Sequence, residues 1–297
     1  MSTPPSARAR YLEALRTRRR LAAHTVEAYD RDTTLLLELA TGRELAQLTP
    51  HDVRRFVATL HGRGLAPRSL ARILSSWRGF FEWLAGEGLT GANPCTGVRA
   101  PKAPKKLPPC LSPDEAVRLV TAPDGTRWKA RDRALFELAY SCGLRVSELT
   151  GLDVDSIDRA SGEARVLGKG SKTRIVPVGK PALDAVARWL AERSRTARDG
   201  ETALFVGRAG RRLGAREVQR RIKAYAAAAG LEVDVHPHML RHSFASHVLQ
   251  SSGDLRAVQE MLGHASIAST QVYTHLDFQH LAKVYDAAHP RAKRRKG

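Results

Sequence analysis

The sequence has few cysteines and no long apolar stretch, and each shortage excludes a class of protein. Cys95, Cys110 and Cys142 are its only cysteines, they are unevenly spaced, and no C-x-x-C pair occurs. This argues against a disulfide framework and a zinc site, and it predicts free thiols in a reducing compartment. No stretch approaches the roughly 18 apolar residues of a membrane span, and no apolar segment near the N-terminus indicates a secretory signal. We therefore expect a cytoplasmic protein that does not associate with a membrane.

Two motifs of phosphate chemistry are also missing. A P-loop would carry Gly-x-x-x-x-Gly-Lys-Ser/Thr before a helix, and the chain has no such stretch. Two-metal nucleases and polymerases use clustered acidic residues. Asp153, Asp155 and Asp158 come nearest, and we interpret them as turn or capping residues. The sequence thus predicts neither a metal ion nor another cofactor.

Acidic residues are scarce relative to basic ones. The chain has 49 Lys and Arg against 30 Asp and Glu, a formal net charge of +19 and a pI near 10.6. This excess predicts a polyanionic partner, with nucleic acid ahead of an anionic membrane surface. An Arg-rich but functionless surface, from a GC-rich coding background, is the alternative. The length of 297 residues and the 42% apolar content predict two domains with ordinary cores.

The first predicted domain, residues 1–98, contains four helices with short loops, which is typical of a small all-α bundle. Thr25 is the expected N-cap of the second helix, and Thr49 followed by Pro50 begins the third. The fourth begins near Pro67, and its basic residues are candidate DNA contacts, with an exposed basic surface as the alternative. These candidates are Arg68, Arg72 and Arg78.

Residues 99–109 contain four prolines and four cations, so they predict an extended, basic interdomain linker. A linker that lies along a phosphate backbone would use this charge, whereas a plain spacer would not need it. Its candidate DNA contacts are Lys102, Lys105 and Lys106. The second domain is predicted at 110–290, and a basic tail at 291–297.

The second domain begins with a strong helix-start signal, in which Ser112 is the N-cap and Glu115 completes a capping box. Residues 163–167 and 173–177 predict a β-hairpin, because two apolar-rich stretches flank a Gly-containing turn. Lys169 lies at the tip, where its amine can reach into a groove. Lys172 is the other candidate for the lysine that reaches into this groove. Lys172 and Arg174 are also candidate DNA contacts. A solvated turn is the alternative for both lysines.

The helix that follows Pro237 should place His238 and Arg241 on one face, because residues three apart are neighbours on a helix. His264 and Tyr273 follow at short intervals. Singly, each of these residues is more often structural or solvated. Together they suit a phosphate, since the arginine fork matches phosphate oxygens and a nearby phenol is a candidate nucleophile.

A second arginine completes this cationic set. Arg145 stands where a helix is predicted to begin, and Glu148 is close enough in sequence to orient it. Attack on a phosphodiester concentrates negative charge on the non-bridging oxygens, so fixed cations must meet that charge. The leaving alkoxide needs a proton from a general acid, and the lysine at the hairpin tip is the candidate for that role.

Several stretches resemble, in order and spacing, the signature boxes of tyrosine site-specific recombinases. They are Gly143-Leu-Arg-Val-Ser-Glu-Leu149, Gly168-Lys-Gly-Ser-Lys-Thr-Arg-Ile-Val-Pro177, Pro237-His-Met-Leu-Arg-His242, Leu262-Gly-His264 and Tyr273-Thr-His275. Residues 25–29 and 69–72 also resemble the family's core-binding domain, so the likeness covers nearly the whole chain. Residues 255–264 and the short linker look most like the Xer branch, which resolves chromosome dimers.

The resemblance implies a mainly α fold with a small β-sheet. A four-helix, SAM-like core-binding domain would join an α/β catalytic domain in a C-shaped DNA clamp. Tyr273 would be the nucleophile that forms a 3′-phosphotyrosyl link. Arg145 and Arg241 would bind the scissile phosphate, Lys169 would protonate the leaving 5′-oxygen, and Glu148 would support the site. His238 would assist proton transfer at the phenol, and His264 would donate to a phosphate oxygen.

The resemblance also implies partners and rivals. Four protomers, identical or paired with a paralogue, would act on two double-stranded DNA sites, with residues 277–288 packing on a neighbour. The basic tail would touch DNA or a DNA translocase, or serve solubility alone. An integrase or transposase of a mobile element shares the chemistry. A type IB topoisomerase shares the nucleophile without site choice, and a non-catalytic DNA-binding module would keep only the fold.

Overall fold

The computed structural model describes residues 6–19, 21–102, 110–123, 125–168, 173–263 and 275–292. For residues 275–280 and 282 only the backbone is described. The chain divides into two compact units, Met1–Lys106 and Leu107–Gly297. Within the described ranges, no helix is both long enough and apolar enough to cross a bilayer.

The first unit is the predicted bundle of α-helices. Its helices are α1 (Ala7–Thr17), α2 (Ala23–Leu39), α3 (Pro50–Gly62) and α4 (Pro67–Gly86). Thr49 caps α3 as predicted, because its hydroxyl accepts from the Asp52 N–H at 3.3 Å and the Asp52 carboxylate accepts from the Thr49 N–H at 3.1 Å. The expected cap at Thr25 is wrong: α2 begins two residues earlier, at Ala23, and no side chain caps it.

The core of the first unit is aromatic. Trp77, Phe80 and Phe81 of α4 are fully buried, and the Trp77 indole N–H donates to the Asp32 carbonyl at 2.7 Å. The chain stays in this core as far as the buried Val98. Residues that follow α4 therefore pack in the same core as the four helices.

The second unit contains most of the chain. Ser112 caps its first helix with Glu115, as the capping-box pattern predicts. Its helices are α5 (Pro113–Thr121), α6 (Lys129–Ser141), α7 (Val146–Gly151), α8 (Lys180–Arg193), α9 (Ala215–Ala228), α10 (Pro237–Ser252), α11 (Leu255–Leu262) and α12 (His275–Ala288). Such a preponderance of helices agrees with the predicted fold class.

A small antiparallel sheet accompanies these helices. Its strands are β1 (Ile157–Asp158), β2 (Glu163–Leu167) and β3 (Thr173–Pro177), in the order β1-β2-β3. The hairpin of β2 and β3 is confirmed, whereas β1 is too short for a periodic pattern to predict it. Val166 of β2 pairs with Arg174 of β3. Both side chains are buried, so β3 directs an arginine towards the interior.

The end of the described chain is folded onto the second unit. Leu281 and Tyr285 of α12 are buried in its core, where α12 contacts α10 and β3. Within this chain α12 packs on its own domain, and the packing of residues 277–288 on a neighbouring protomer stays a prediction. The first two residues of the predicted basic tail, 291–297, belong to the folded unit. Arg291 pairs with the buried Glu137 of α6, and Ala292 is buried.

We expect Arg291→Met to destabilise the second unit by about 3 kcal/mol, because it removes one partner of a buried carboxylate. The Glu137 side chain is 1% exposed, and its remaining partner among the described residues would be Arg133, whose Nε lies 3.1 Å from it. Differential scanning calorimetry measures this change. Lys283→Met is the control, since Lys283 is exposed on α12, and we expect it to change stability by less than about 0.5 kcal/mol. Equal effects of the two substitutions would contradict the pairing.

Candidate active site

Three arginines surround the buried carboxylate of Glu148 on α7. Arg145 Nη1 donates to its Oε1 at 2.7 Å. Arg174 donates to both oxygens, from Nη1 at 2.8 Å and from Nη2 at 2.9 Å. Arg241 Nη1 lies 3.6 Å from Oε2. Three cations around one anion leave a net positive charge, which favours the binding of a further anion.

The Glu148 carboxylate stays ionised despite its burial, its side chain being 3% exposed. Burial alone would raise its pKa, but hydrogen bonds from Arg174 and from the Arg145 backbone N–H outweigh that effect and lower the pKa to about 2. An ionised carboxylate keeps attracting all three guanidinium groups at any ordinary pH.

Arg145 is held at the start of α7 by the same carboxylate. Its backbone N–H donates to Glu148 Oε2 at 2.8 Å, so Glu148 satisfies one of the donors that a helix N-terminus leaves unpaired. The Arg145 side chain is 38% exposed. The prediction that Glu148 orients Arg145 is confirmed, and this arginine keeps an outward-facing part.

Arg241 of α10 is fixed by two backbone carbonyls. Its Nη1 donates to the Gly143 carbonyl at 2.7 Å, and its Nη2 donates to the Leu262 carbonyl at 2.6 Å. Gly143 has φ +58°, which side-chain-bearing residues rarely adopt, and a Cβ there would lie 2.9 Å from Phe244 Cε1 and closer still to Cδ1. Only glycine therefore fits beside Phe244 while it presents this carbonyl to Arg241.

The C-terminal end of α11 supplies the remaining acceptors. Carbonyls in a helix's last turn lack helical partners and form its negative pole. Arg174 Nε donates to the Met261 carbonyl at 2.9 Å, and Arg241 Nη2 donates to the Leu262 carbonyl. The helix ends at Leu262, and Gly263 caps it in a left-handed conformation with φ +62°. The end of α11 thus fixes two of the three arginines.

His238 lies one helical turn before Arg241, and the two share a local environment as predicted. Burial lowers the pKa of His238, and the charge of Arg241 lowers it further, with smaller effects from His236, His242 and Arg145. Burial and the charge of Arg145 also lower the pKa of Arg241, to about 10, against an opposing effect of Glu148. At neutral pH the imidazole is therefore neutral and able to accept a proton.

The structure brings four of the predicted site residues together, namely Arg145, Glu148, His238 and Arg241. Several others lie outside the described residues. They are Lys169, His264 and Tyr273 of the predicted catalytic set, and Lys105, Lys106 and Lys172 of the DNA contacts. Among the residues that are described, no group of three or more His, Cys, Asp or Glu could hold a metal ion.

The remaining candidate DNA contacts differ in their surroundings. Arg68 and Lys102 are exposed. Arg72 pairs with the buried Asp32, and Arg78 donates to the Val98 carbonyl at 3.3 Å. Both of the latter have a structural contact within the first unit.

The interpretation of Arg174 as a DNA contact is corrected by the structure. Its side chain is 5% exposed, and its guanidinium is bound to Glu148 and to the Met261 carbonyl. The sequence did contain the signal, because alternation along a strand places Arg174 on the same face as the buried Val176. The acceptor role of Gly143 has no comparable signal in the sequence.

Comparisons with known proteins match both units of the chain. Residues 109–280 match the phage integrase family, and residues 9–88 match the phage integrase N-terminal SAM-like domain. Tyrosine recombinase XerC 1 of Ralstonia nicotianae is 53% identical over 96% of this chain and 93% of its own length. Tyrosine recombinase XerC of Alcanivorax borkumensis is 50% identical over 96% and 94%.

Solved structures share the fold. XerH recombinase bound to a palindromic difH substrate has a TM-score of 0.72 at 22% identity, over 94% of this chain and 84% of that one. XerA recombinase has a TM-score of 0.51 at 28% identity, over 96% and 99%. Both agree with the predicted combination of a helical N-terminal domain and an α/β second domain.

We expect Gly143→Ala to lower the free energy of unfolding by about 3 kcal/mol, because the added Cβ meets Phe244 and the backbone is left-handed. Urea denaturation measures this change. Gly151→Ala is the matched control, since a Cβ there meets nothing within 4 Å and Gly151 is the last residue of α7. We expect that substitution to be neutral or to stabilise by about 0.5 kcal/mol. Equal tolerance of both would refute the close approach at Gly143.

Proposed function

Because this chain belongs to the phage integrase family and is a XerC-like tyrosine recombinase, we propose that it cuts and rejoins DNA strands at a specific site to resolve chromosome dimers. The observation that carries this proposal is the convergence of Arg145 and Arg241 on one ionised carboxylate. Relatives that are 50% and 53% identical to this chain are named XerC, which favours dimer resolution over integration of a mobile element.

In the proposed reaction the Tyr273 phenol attacks the scissile phosphorus. The bond between the tyrosyl oxygen and phosphorus forms as the bond from phosphorus to the 5′-oxygen breaks. A 3′-phosphotyrosyl link and a free 5′-hydroxyl result. Attack by a 5′-hydroxyl of the partner strand reverses these steps and passes through a Holliday junction. The covalent link retains the energy of the broken bond, so the chemical steps require neither ATP nor a metal ion.

Arg145 and Arg241 would stabilise the charge that develops on the non-bridging oxygens. A guanidinium has five N–H donors. Arg241 uses two of its nitrogens on backbone carbonyls, and Arg145 uses one on Glu148. Each therefore keeps donors for a phosphate while its own position is fixed. Preorganised donors of this kind need no rearrangement as the transition state forms.

Proton transfer is assigned to the remaining predicted residues. His238, neutral at ordinary pH because its pKa is lowered by burial and by Arg241, would accept the proton of the Tyr273 phenol. Lys169 would protonate the departing 5′-oxygen, and His264 would donate to a non-bridging oxygen. Removal of one proton and delivery of another leave the protein's total charge unchanged across the cleavage step.

The assembly we propose consists of four protomers on two double-stranded DNA sites in the cytoplasm, either alone or with a paralogous recombinase. The net charge of +19 supports a polyanionic partner. In this proposal residues 99–109 lie along the phosphate backbone between a DNA-binding domain and a catalytic domain. Arg68 and Lys102, both exposed, are available for phosphate contacts.

We expect Tyr273→Phe to retain DNA binding and to lose the covalent complex, because the substitution deletes only the attacking oxygen. The measurement is adduct formation on a nicked suicide substrate carrying the protein's DNA site, found first by binding-site selection. Tyr29→Phe, a half-buried phenol of α2, is the control and should form adduct normally. Adduct formation by Tyr273→Phe would refute the nucleophile assignment, and its absence from the unsubstituted protein would refute the proposed reaction.

We expect Lys169→Ala to slow cleavage by about 10²–10⁴-fold, as is typical when a general acid is lost. A 5′-bridging sulfur should restore the rate, because a thiolate leaves without protonation. Lys172→Ala is the matched control, because Lys172 lies in the same stretch of sequence between β2 and β3, and its cleavage rate should not depend on sulfur substitution. Rescue of Lys172→Ala in place of Lys169→Ala would exchange the two roles.

A further inference from the structure

We propose that Arg174 is a positioning residue for strand cleavage, which fixes the Glu148 carboxylate and, through it, both phosphate-binding arginines. This inference rests on the proposed function of the site. Arg174 would touch neither DNA nor the reacting atoms. It would instead raise the fraction of molecules in which Arg145 and Arg241 are both placed to bind the same phosphate.

The geometry of Arg174 is that of a clamp on Glu148. Two parallel N–H donors meet the two carboxylate oxygens at 2.8 and 2.9 Å. Such a bidentate pair fixes the plane of the carboxylate as well as its position. Arg145 contributes a single side-chain bond at 2.7 Å, and Arg241 lies farther away, at 3.6 Å. The Arg145 backbone N–H also holds Oε2, at 2.8 Å, but among the described residues Arg174 is the side chain that bonds both carboxylate oxygens.

A third bond extends this control to α11. Arg174 Nε donates to the Met261 carbonyl at 2.9 Å, one residue before the Leu262 carbonyl that holds Arg241. A Cβ at Gly263 would lie only 3.1 Å from Arg174 Cδ, so the glycine leaves room for the arginine. The Arg174 guanidinium thus connects β3 with α7 and with the end of α11. The carboxylate on α7 orients Arg145, and the Leu262 carbonyl at the end of α11 orients Arg241.

The hydrogen bonds of Arg174 separate its role from a direct one. Arg174 and Arg241 are equally buried, with 5% of each side chain exposed. All three guanidinium nitrogens of Arg174 donate within the protein, whereas among the described residues Arg241 donates from Nη1 and Nη2 alone. Arg131 provides an internal comparison. Its side chain is 1% exposed and bonded to Asp132 and to the Val206 carbonyl, with no contact to Glu148. A loss of general stability should follow substitution of either arginine, but a loss of positioning should follow substitution of Arg174 alone.

The test compares single-turnover cleavage at saturating DNA with DNA affinity in the full-length protein. We expect Arg174→Gln to cut about 100-fold more slowly, as misplaced catalytic groups commonly do. Arg174→Lys keeps the charge without the fork and should cut about tenfold more slowly. DNA affinity should stay within about twofold in both. Arg131→Gln should lower thermal stability while its folded fraction cuts at the normal rate. Arg174→Lys decides the matter if Arg174→Gln does not fold.

A pH profile distinguishes positioning from simple destabilisation. The ionisable groups paired with Glu148 are Arg145 at the start of α7, Arg174 on β3 and Arg241 on α10. Without Arg174, burial should raise the pKa of Glu148, and a protonated carboxyl holds cations poorly. The cleavage rate of Arg174→Gln, relative to the unsubstituted protein, should therefore fall from pH 7 to pH 5. Adding Glu148→Gln should remove that pH dependence.

Three outcomes would overturn the inference. A folded Arg174→Gln protein that cuts at the normal rate excludes positioning. Weaker DNA binding with a normal rate at saturation assigns Arg174 to DNA contact. A loss that matches Arg131→Gln and has no pH dependence makes the role purely structural. Failure of the unsubstituted protein to form an adduct would instead refute the proposed function, and this inference with it.

Discussion

The structure of the site depends on one buried anion, the carboxylate of Glu148. A carboxylate out of water is costly unless cations and hydrogen-bond donors surround it. Here Arg145, Arg174 and Arg241 do so. The requirement works in both directions, because the same carboxylate keeps like-charged guanidinium groups close together. Without it, mutual repulsion would separate the cations that a phosphate needs.

The backbone contributes as much as the side chains. Gly143 turns the chain between α6 and α7 so that its carbonyl meets Arg241, and α11 ends with the carbonyls of Met261 and Leu262 aimed at two arginines. These carbonyls are fixed by the fold and cannot rotate away as side chains can. The guanidinium groups of Arg174 and Arg241 are therefore held in place before any ligand arrives, which favours electrostatic stabilisation without reorganisation.

Local signals in the sequence predicted much of this protein. Some features depend on interactions between residues that are close in sequence. They are the caps at Thr49 and Ser112, the hairpin of β2 and β3, and the contact of Arg145 with Glu148. Apart from the cap expected at Thr25, the errors arose where tertiary contacts decide. Arg174 carries a charge that indicated a surface position, yet Glu148 of a different element draws it inward. Arg291 likewise belongs to a basic stretch but pairs with Glu137 across the domain. Such pairings need the three-dimensional arrangement.

In the proposed reaction Arg145 and Arg241, held by Glu148, act on a single phosphate. The most direct measurement is a crystal structure of the Tyr273→Phe protein bound to its intact DNA site. We expect both guanidinium groups on non-bridging oxygens of the scissile phosphate, with Glu148 still bound to Arg145 and Arg174. The two arginines on different phosphates, or a Glu148 carboxylate turned away from them, would contradict it.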